Sequence, residues 1–249
     1  MDLLKYRESK QEIERVNDLF NLMGHGGFTV LDIGARDGYL SCKLLDKFIK
    51  VTALDLNTPD ITNKNIECVA GNVCALNFDD NSFDLVLCTE VLEHIPTNLL
   101  QKACSEISRV AKKHVIIGVP YKQDIRVGRT TCFSCGGISP PWGHVNVFDE
   151  KNLERLFSDL RLNKVSYVGL TTMRTNCISA YLMDFAGNPY GTYDQEEPCM
   201  YCGTLLKYPP NRNLLKKIAT KLAVYIDKLG PFSKIMRPNW IHIDFEKDI

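Results

Sequence analysis

A chain of 249 residues with 45% hydrophobic composition can bury one large core, or one core with a small appendage. Its 30 lysines and arginines balance 30 aspartates and glutamates, which excludes a whole-molecule attraction for nucleic-acid phosphates or an anionic membrane; polyanion binding would need a local patch. The opening Met1-Asp2-Leu3-Leu4-Lys5-Tyr6 lacks the apolar run of a signal peptide, and no stretch nears the roughly 18 to 20 apolar residues that cross a bilayer, so a cytoplasmic protein is expected.

From Glu8 to Met23 the apolar residues Ile13, Val16, Leu19, Phe20 and Met23 recur at steps of three and four, the mark of an amphipathic helix. Phe28 to Ile33 reads as a buried strand, and Gly34 to Gly38 as a tight turn into a helix carrying Tyr39, Leu40, Leu44, Leu45 and Phe48. Strands follow at Val51–Asp55, Ile66–Ala70 and Phe83–Cys88, then a helix from Asn98 to Ala111 and a strand from His114 to Val119. Strands alternating with helices predict an α/β fold, a doubly wound and mostly parallel sheet covered on both faces.

Beyond Pro120 the character changes. Glycines and prolines fill two irregular stretches, about 121–144 and 188–204, separated by a helix at Glu150 to Leu160 and a strand at Lys164 to Gly169. Leu214, Leu215, Ile218, Leu222, Tyr225, Ile226 and Leu229 form an apolar helical stripe with lysines on the other faces. Such a helix is expected to dock on its own body or on a second copy in a homodimer, ahead of lying on a membrane surface. Pro231, Pro238 and Trp240 predict an irregular terminal arm. The expected division is a main domain over 1–208, including both insertions, and a C-terminal helix and arm over 209–249.

The residues that bear on chemistry begin at the glycine turn. A small-residue turn at a strand end lets backbone approach a ligand, and the next helix offers unpaired amides. Asp55, ending the second strand, can accept hydrogen bonds from both hydroxyls of a ribose. Gly71-Asn72-Val73 after the third strand offers an amide to an adenine edge, and Cys88-Thr89-Glu90 ends the fourth.

With Leu31-Asp32-Ile33-Gly34, Asp55, the run Gly71 to Phe78, Asn81-Ser82-Phe83-Asp84-Leu85-Val86 and Glu90-Val91-Leu92-Glu93-His94-Ile95, the chain resembles the Rossmann-like (class I) S-adenosylmethionine-dependent methyltransferases, in particular their quinone and small-molecule branch. The resemblance spans roughly Val30 to Val119. It implies that Asp32, Gly34 and Gly38 surround the methionine part of the cofactor, that Asp55 holds the ribose, and that Asn72 with Val73 meets the adenine; Ala35, Leu56 and Cys88 are further cofactor-binding candidates. Two positions depart from the family pattern: Arg36 stands where glycine is usual, and Asn72 where aspartate is. Arg36 either points its side chain outward and leaves the turn intact, or restricts the turn. A dinucleotide enzyme would keep the full Gly-x-Gly-x-x-Gly turn, which Gly34 to Tyr39 does not.

Of ten cysteines, Cys42, Cys68, Cys74, Cys88, Cys104 and Cys177 are scattered singly and read as reduced thiols. The other four form two Cys-x-x-Cys-Gly knuckles, Cys132/Cys135 and Cys199/Cys202. Two pairs of thiolates describe a closed tetrahedral site, structural in kind and suited to zinc, against free or redox-active thiols or an iron-sulfur cluster.

Methyl transfer to a hydroxyl asks the protein to align the acceptor and take its proton. His94, after the fourth strand, and His144, beside the first knuckle, are candidates by their near-neutral pKa, and Glu90 is a third. The leading expectation is O-methylation of a small-molecule or glycan hydroxyl. The alternatives are an RNA methyltransferase gripping nucleic acid with its knuckles, opposed by a local basic group limited to Lys122, Arg126 and Arg129, and a binding module that kept the fold without catalysis.

Overall fold

The structure is a computed structural model that describes residues 3–210, 212–230 and 235–248, so Met1, Asp2 and Pro231 among the residues discussed above lie outside it. The chain runs through α1 (Leu3–Arg7), α2 (Lys10–Leu22), β1 (Gly27–Ile33), α3 (Tyr39–Leu44), β2 (Phe48–Asp55), β3 (Ile66–Ala70), β4 (Phe83–Thr89), α4 (Leu100–Val110) and β5 (Ala111–Pro120). There follow β6 (Thr130–Thr131), β7 (Ile138–Ser139), α5 (Glu150–Leu156), β8 (Arg161–Thr171), α6 (Cys177–Ala186), α7 (Leu214–Leu229) and β9 (Arg237–Glu246).

Seven strands form one sheet in the order β3-β2-β1-β4-β5-β9-β8. The first five are parallel, with Val30 opposite both Val51 and Leu85, whereas β9 runs antiparallel to β5 and to β8. Burial on both faces explains the nearly continuous apolar runs: every residue from Val115 to Pro120 is buried. One face packs Cys104 and Ile107 of α4, with Leu153 and Phe157 of the α5 segment, against Leu31, Val86 and Ile117. The other packs Leu19 and Met23 of the α2 segment and Leu44 of α3 against Val30, Leu85 and Ile116.

Local chemistry sets the helix starts. Ser9 caps α2, its hydroxyl accepting from the Glu12 amide at 3.3 Å, and Asp149 caps α5 through the Asn152 amide at 2.9 Å. Asn176 caps α6 in the same way, and Gly187 closes it at φ +82°. Helices α1 and α6 stand beyond those expected from the sequence. The sequence also led α3 to be expected as far as Phe48, which instead opens β2, because Asp46 and Lys47 bond back to Lys43 and Leu44 in a turn.

The largest correction concerns the C-terminus. Pro238 and Trp240 do not lie in an irregular arm; they begin β9, which fills the gap between β5 and β8, so residues beyond the expected boundary at 208 complete the sheet. Ile241, Ile243 and Phe245 point into the core, alternating with His242 and Asp244, whose imidazole and carboxylate find Asp18 and His114 at 2.7 and 3.0 Å. Against the body of its own chain, α7 does not dock through the apolar stripe. Ala219, Thr220 and Ala223 are buried, with the Ser179 hydroxyl of α6 donating to the Ala223 carbonyl at 2.9 Å, while Leu214, Leu215, Ile218 and Leu222 stay exposed. Among the described residues no helix is long and apolar enough to cross a membrane.

These two C-terminal elements should respond differently to truncation of an apolar side chain. Phe245, 1% exposed and 5.0 Å from the Phe157 ring, should cost about 3 to 5 kcal/mol as Phe245→Ala, whereas Leu215→Ala, 67% exposed, should stay within about 0.5 kcal/mol. Chemical denaturation of the two variants checks this; equal losses would contradict the placement of β9 in the core.

Candidate functional site

The C-terminal ends of β1 and β4 open onto a cavity of about 480 Å³, within the range of small-molecule sites. Asp32, Gly34, Ala35 and Arg36 form one wall, Thr89, Glu90 and His94 the floor, and Trp142 and His144 the side supplied by the first insertion. The N-terminal helices cover it with Tyr6, Arg7, Glu12 and Arg15, a contribution that the sequence reading did not see. Arg7 holds this cover down: it forks onto Asp37 at 2.5 and 2.6 Å and lies 4.3 Å over the Tyr39 ring.

Gly34 and Gly38 justify themselves in the turn. Both have φ near +80°, and a Cβ would come within 2.3 Å of Val91 Cγ2 at Gly34 and 2.2 Å of Ile61 Cδ1 at Gly38. Arg36 adopts the same left-handed backbone, φ +50°, so the turn keeps the shape a glycine would give. Its guanidinium leaves the cavity wall outward to Glu196 at 2.7 Å, and its N–H donates to Asp55 Oδ2 at 2.8 Å. The other Asp55 oxygen accepts from the Leu56 amide at 2.7 Å.

The predicted cofactor residues therefore fall into two groups. Asp32, Gly34 and Ala35 line the cavity. Asp55, Leu56, Asn72, Val73 and Gly38 lie beside it, on the β2 and β3 side, joined to the turn through the Arg36 amide. Leu56 is 72% exposed, an apolar face next to a carboxylate; Asn72 is exposed but turns its Oδ1 back onto the Cys74 amide at 2.9 Å. Val73 and Cys88 are buried side chains of the core, so they offer a ligand backbone alone, and Thr89 and Glu90 carry the end of β4 into the cavity. Asp32 is buried with the Ser41 hydroxyl 2.6 Å away, and burial pushes its carboxyl up to about 6.

The three catalytic candidates converge. Glu90 sits at φ +55° at the end of β4, with its N–H on the Gly118 carbonyl; its Oε1 is buried without a hydrogen-bond partner among the described residues. Burial raises its pKa, against Arg15 and the Trp240 side chain, which favour the charged form. His94 and His144 stack edge to face, ring centroids 4.7 Å apart. Burial lowers the pKa of both, that of His144 to about 3, so both imidazoles are neutral at pH 7.

Asn146, which the sequence reading left out, fixes that juxtaposition. Its side-chain amide donates to the Leu92 and Ile95 carbonyls at 2.9 and 2.6 Å, and the Val145 and Asn146 amides both reach the Glu93 carbonyl. The loop bearing His144 is thereby stitched to the short 3-10 turn, Leu92–His94, that bears His94.

The four knuckle cysteines also meet. Cys132 and Cys202 sulfurs lie 3.6 Å apart, Cys135 and Cys199 sulfurs 3.7 Å, and all four within 4.8 Å of one another. A tetrahedral ion with metal–sulfur bonds of about 2.3 Å requires sulfurs about 3.8 Å apart, which these match. The knuckles are built alike. In the first, the Cys132 amide donates to the Gly137 carbonyl and the Gly136 amide to the Cys132 carbonyl; in the second, Cys199 pairs with Thr204 and Gly203 in the same two ways. Tyr193 and Leu206 close a small core over Cys132 and Cys199. This lobe reaches the cavity through the segment between Tyr193 and Cys199: Gln195 Oε1 accepts from the Trp142 amide at 2.7 Å, Glu196 pairs with Arg36, and Glu197 lines the cavity.

Residues 31–118 match the methyltransferase domain family. An uncharacterised protein of Methanocaldococcus jannaschii is 38% identical over 100 residues, which span 39% of this chain and 42% of that protein. Among solved structures, a putative methyltransferase of Bacillus halodurans is similar with a TM-score of 0.60 at 14% identity, covering 94% of this chain and 99% of that one. The N-methyltransferase NodS of Bradyrhizobium japonicum, in complex with S-adenosylhomocysteine, gives a TM-score of 0.56 at 14% identity over 98% and 91% of the two chains. The domain match covers the strands that build the cavity, and with the strand order it shows that residues 31–118 are similar to the methyltransferase domain family and that the chain has a Rossmann-like methyltransferase fold.

Proposed function

We propose that this protein transfers a methyl group from S-adenosylmethionine to a hydroxyl of a small-molecule or glycan acceptor. The observation that carries the reading is the convergence in one covered cavity of the cofactor-type turn, Gly34 to Gly38, with Glu90 and two neutral imidazoles. The residues present fit the cofactor. The turn keeps its left-handed shape despite Arg36, each Asp55 oxygen retains a lone pair for a ribose hydroxyl, and exposed Leu56 offers an apolar surface beside it.

Bound S-adenosylmethionine supplies a sulfonium methyl: the acceptor oxygen's bond to that carbon forms as the carbon–sulfur bond breaks, with the electron pair left on sulfur. The chain's own tasks are alignment and removal of the hydroxyl proton. Glu90 is the proton acceptor we favour, because it lines the cavity, its Oε1 has no hydrogen-bond partner among the described residues, and burial strengthens it as a base, whereas burial makes His144 a weak one. His94 and His144 then hold and orient the acceptor. Helices α1 and α2 narrow the cavity's access to water through Tyr6, Arg7, Glu12 and Arg15.

We assign zinc to Cys132, Cys135, Cys199 and Cys202, in a structural role, on the matched knuckles and their sulfur spacing. The ion would fix the segment from Tyr193 to Cys199 and, through Glu196, Glu197 and Gln195, the acceptor wall. The RNA alternative finds less support: Lys122, Arg126 and Arg129 are each paired with a carboxylate, Glu150, Asp124 and Asp184 respectively.

Labelled S-adenosylmethionine incubated with phenolic, polyhydroxylated and glycan acceptors should give labelled methyl ethers, and labelled RNA in their place would overturn the choice of acceptor. With an acceptor in hand, Glu90→Gln should lower kcat by about 10² to 10⁴ and leave S-adenosylhomocysteine affinity within a few-fold; unchanged kcat would remove Glu90 from proton transfer. His144→Ala should also cut turnover with cofactor affinity kept. Elemental analysis should find one zinc per chain, and its release by a thiol-specific mercurial should abolish turnover and shift tryptophan emission while the far-ultraviolet signature of the sheet persists. Retention of full activity by the metal-free protein would contradict a zinc-shaped acceptor wall.

A further inference from the structure

Directly beneath the cavity floor lies a group that the methyl-transfer reading leaves without a task. Glu93 is fully buried, and neither of its carboxylate oxygens has a hydrogen-bond partner among the described residues. Its sequence neighbours Val91, Leu92 and Ile95 are apolar. A bare carboxylate removed from water is among the most unfavourable groups a core can contain. Its nearest like charge, Glu90, adds a third partnerless oxygen and makes the local field still more negative.

Glu93, His94 and His144 each offer a ligand atom, and these atoms lie within 4.8 Å of one another. The surrounding bonds fix how they are offered. Gln123 Oε1 sits 2.6 Å from His144 Nδ1, and since a carbonyl oxygen accepts, Nδ1 carries the proton and Nε2 keeps its lone pair. Asn146 ties the His144 loop to the turn that bears both Glu93 and His94, so the three ligands come from a braced unit. We infer that Glu93, His94 and His144 form a second metal site, distinct from the four cysteines, that takes a divalent cation at the acceptor end of the cavity. Two imidazoles and one carboxylate leave coordination positions open, as a catalytic or substrate-holding site requires and a closed thiolate site does not. An acceptor oxygen placed in an open position would be aligned and made more acidic, with its proton passing to Glu90. That last role rests on the methyl-transfer reading; ion binding does not.

The ion alone tests the site. Full-length protein with zinc in the cysteine site is titrated with Mn²⁺, and free Mn²⁺ is read by electron paramagnetic resonance. One ion per chain should bind, and Glu93→Gln and His144→Ala should each weaken it by more than tenfold, with S-adenosylhomocysteine binding retained as the measure of folding. Gln123→Ala should weaken it by roughly tenfold through loss of imidazole orientation. Co²⁺ gives an independent signature: weak visible bands without the intense near-ultraviolet absorption of cobalt thiolate. Absence of Mn²⁺ and Co²⁺ binding by folded protein, binding that both variants leave unchanged, or a thiolate spectrum would each overturn the inference. If Glu93→Gln fails to fold, His94→Gln with the same readouts replaces it.

Discussion

Between β1 and β4 the winding of the sheet reverses, and the crevice opened at the strand ends there is the constraint from which the site follows. Chain leaving β1 turns toward β2, chain leaving β4 turns toward β5, and the two exits cannot cover each other. Each must therefore end on a tight backbone: Gly34, Arg36 and Gly38 at one exit, Glu90 at the other, all with positive φ. Asp55 from the next strand is bound to the first exit by the Arg36 amide, and the turn with His94 hangs from the second.

Arg36 shows how the turn survives an unfavourable residue. A non-glycine residue in the left-handed region costs roughly 1 to 2 kcal/mol. Its ion pair with Glu196, both partners more than half exposed, contributes about 0 to 1 kcal/mol and does not offset that alone. The hydrogen bond from its amide to the charged Asp55 carboxylate, worth about 1.5 to 3 kcal/mol, does. The side chain is then free to serve geometry, linking the cofactor turn to Glu196, three residues before Cys199. The turn after β1 and the cysteine lobe are thus joined through this ion pair.

Much of this was legible in residue order. The alternation of apolar strands and amphipathic helices gave the five parallel strands, the glycine turn marked the backbone that forms one wall of the cavity, and the repeated Cys-x-x-Cys-Gly gave knuckles that the fold brings together from 64 and 70 residues apart. Other features were present but outweighed. Ile241, Ile243 and Phe245 alternate with polar residues as a strand should, yet the nearby prolines suggested an arm; antiparallel insertion of β9 depends on a partner far away in sequence. The α7 stripe obeyed helical periodicity, but periodicity does not say which face docks, and the small residues Ala219 and Ala223 permitted the closer approach. Glu93, Asn146 and the cover from α1 and α2 carry no local signal: their meaning lies in what surrounds them.

The account stands on the crevice between β1 and β4 being a cofactor site, and calorimetric titration with S-adenosylhomocysteine tests that most directly. It predicts one ligand per chain and at least tenfold weaker binding for Asp55→Ala, the carboxylate we propose for the ribose hydroxyls. Absence of binding of either S-adenosylhomocysteine or S-adenosylmethionine to folded wild-type protein would contradict it.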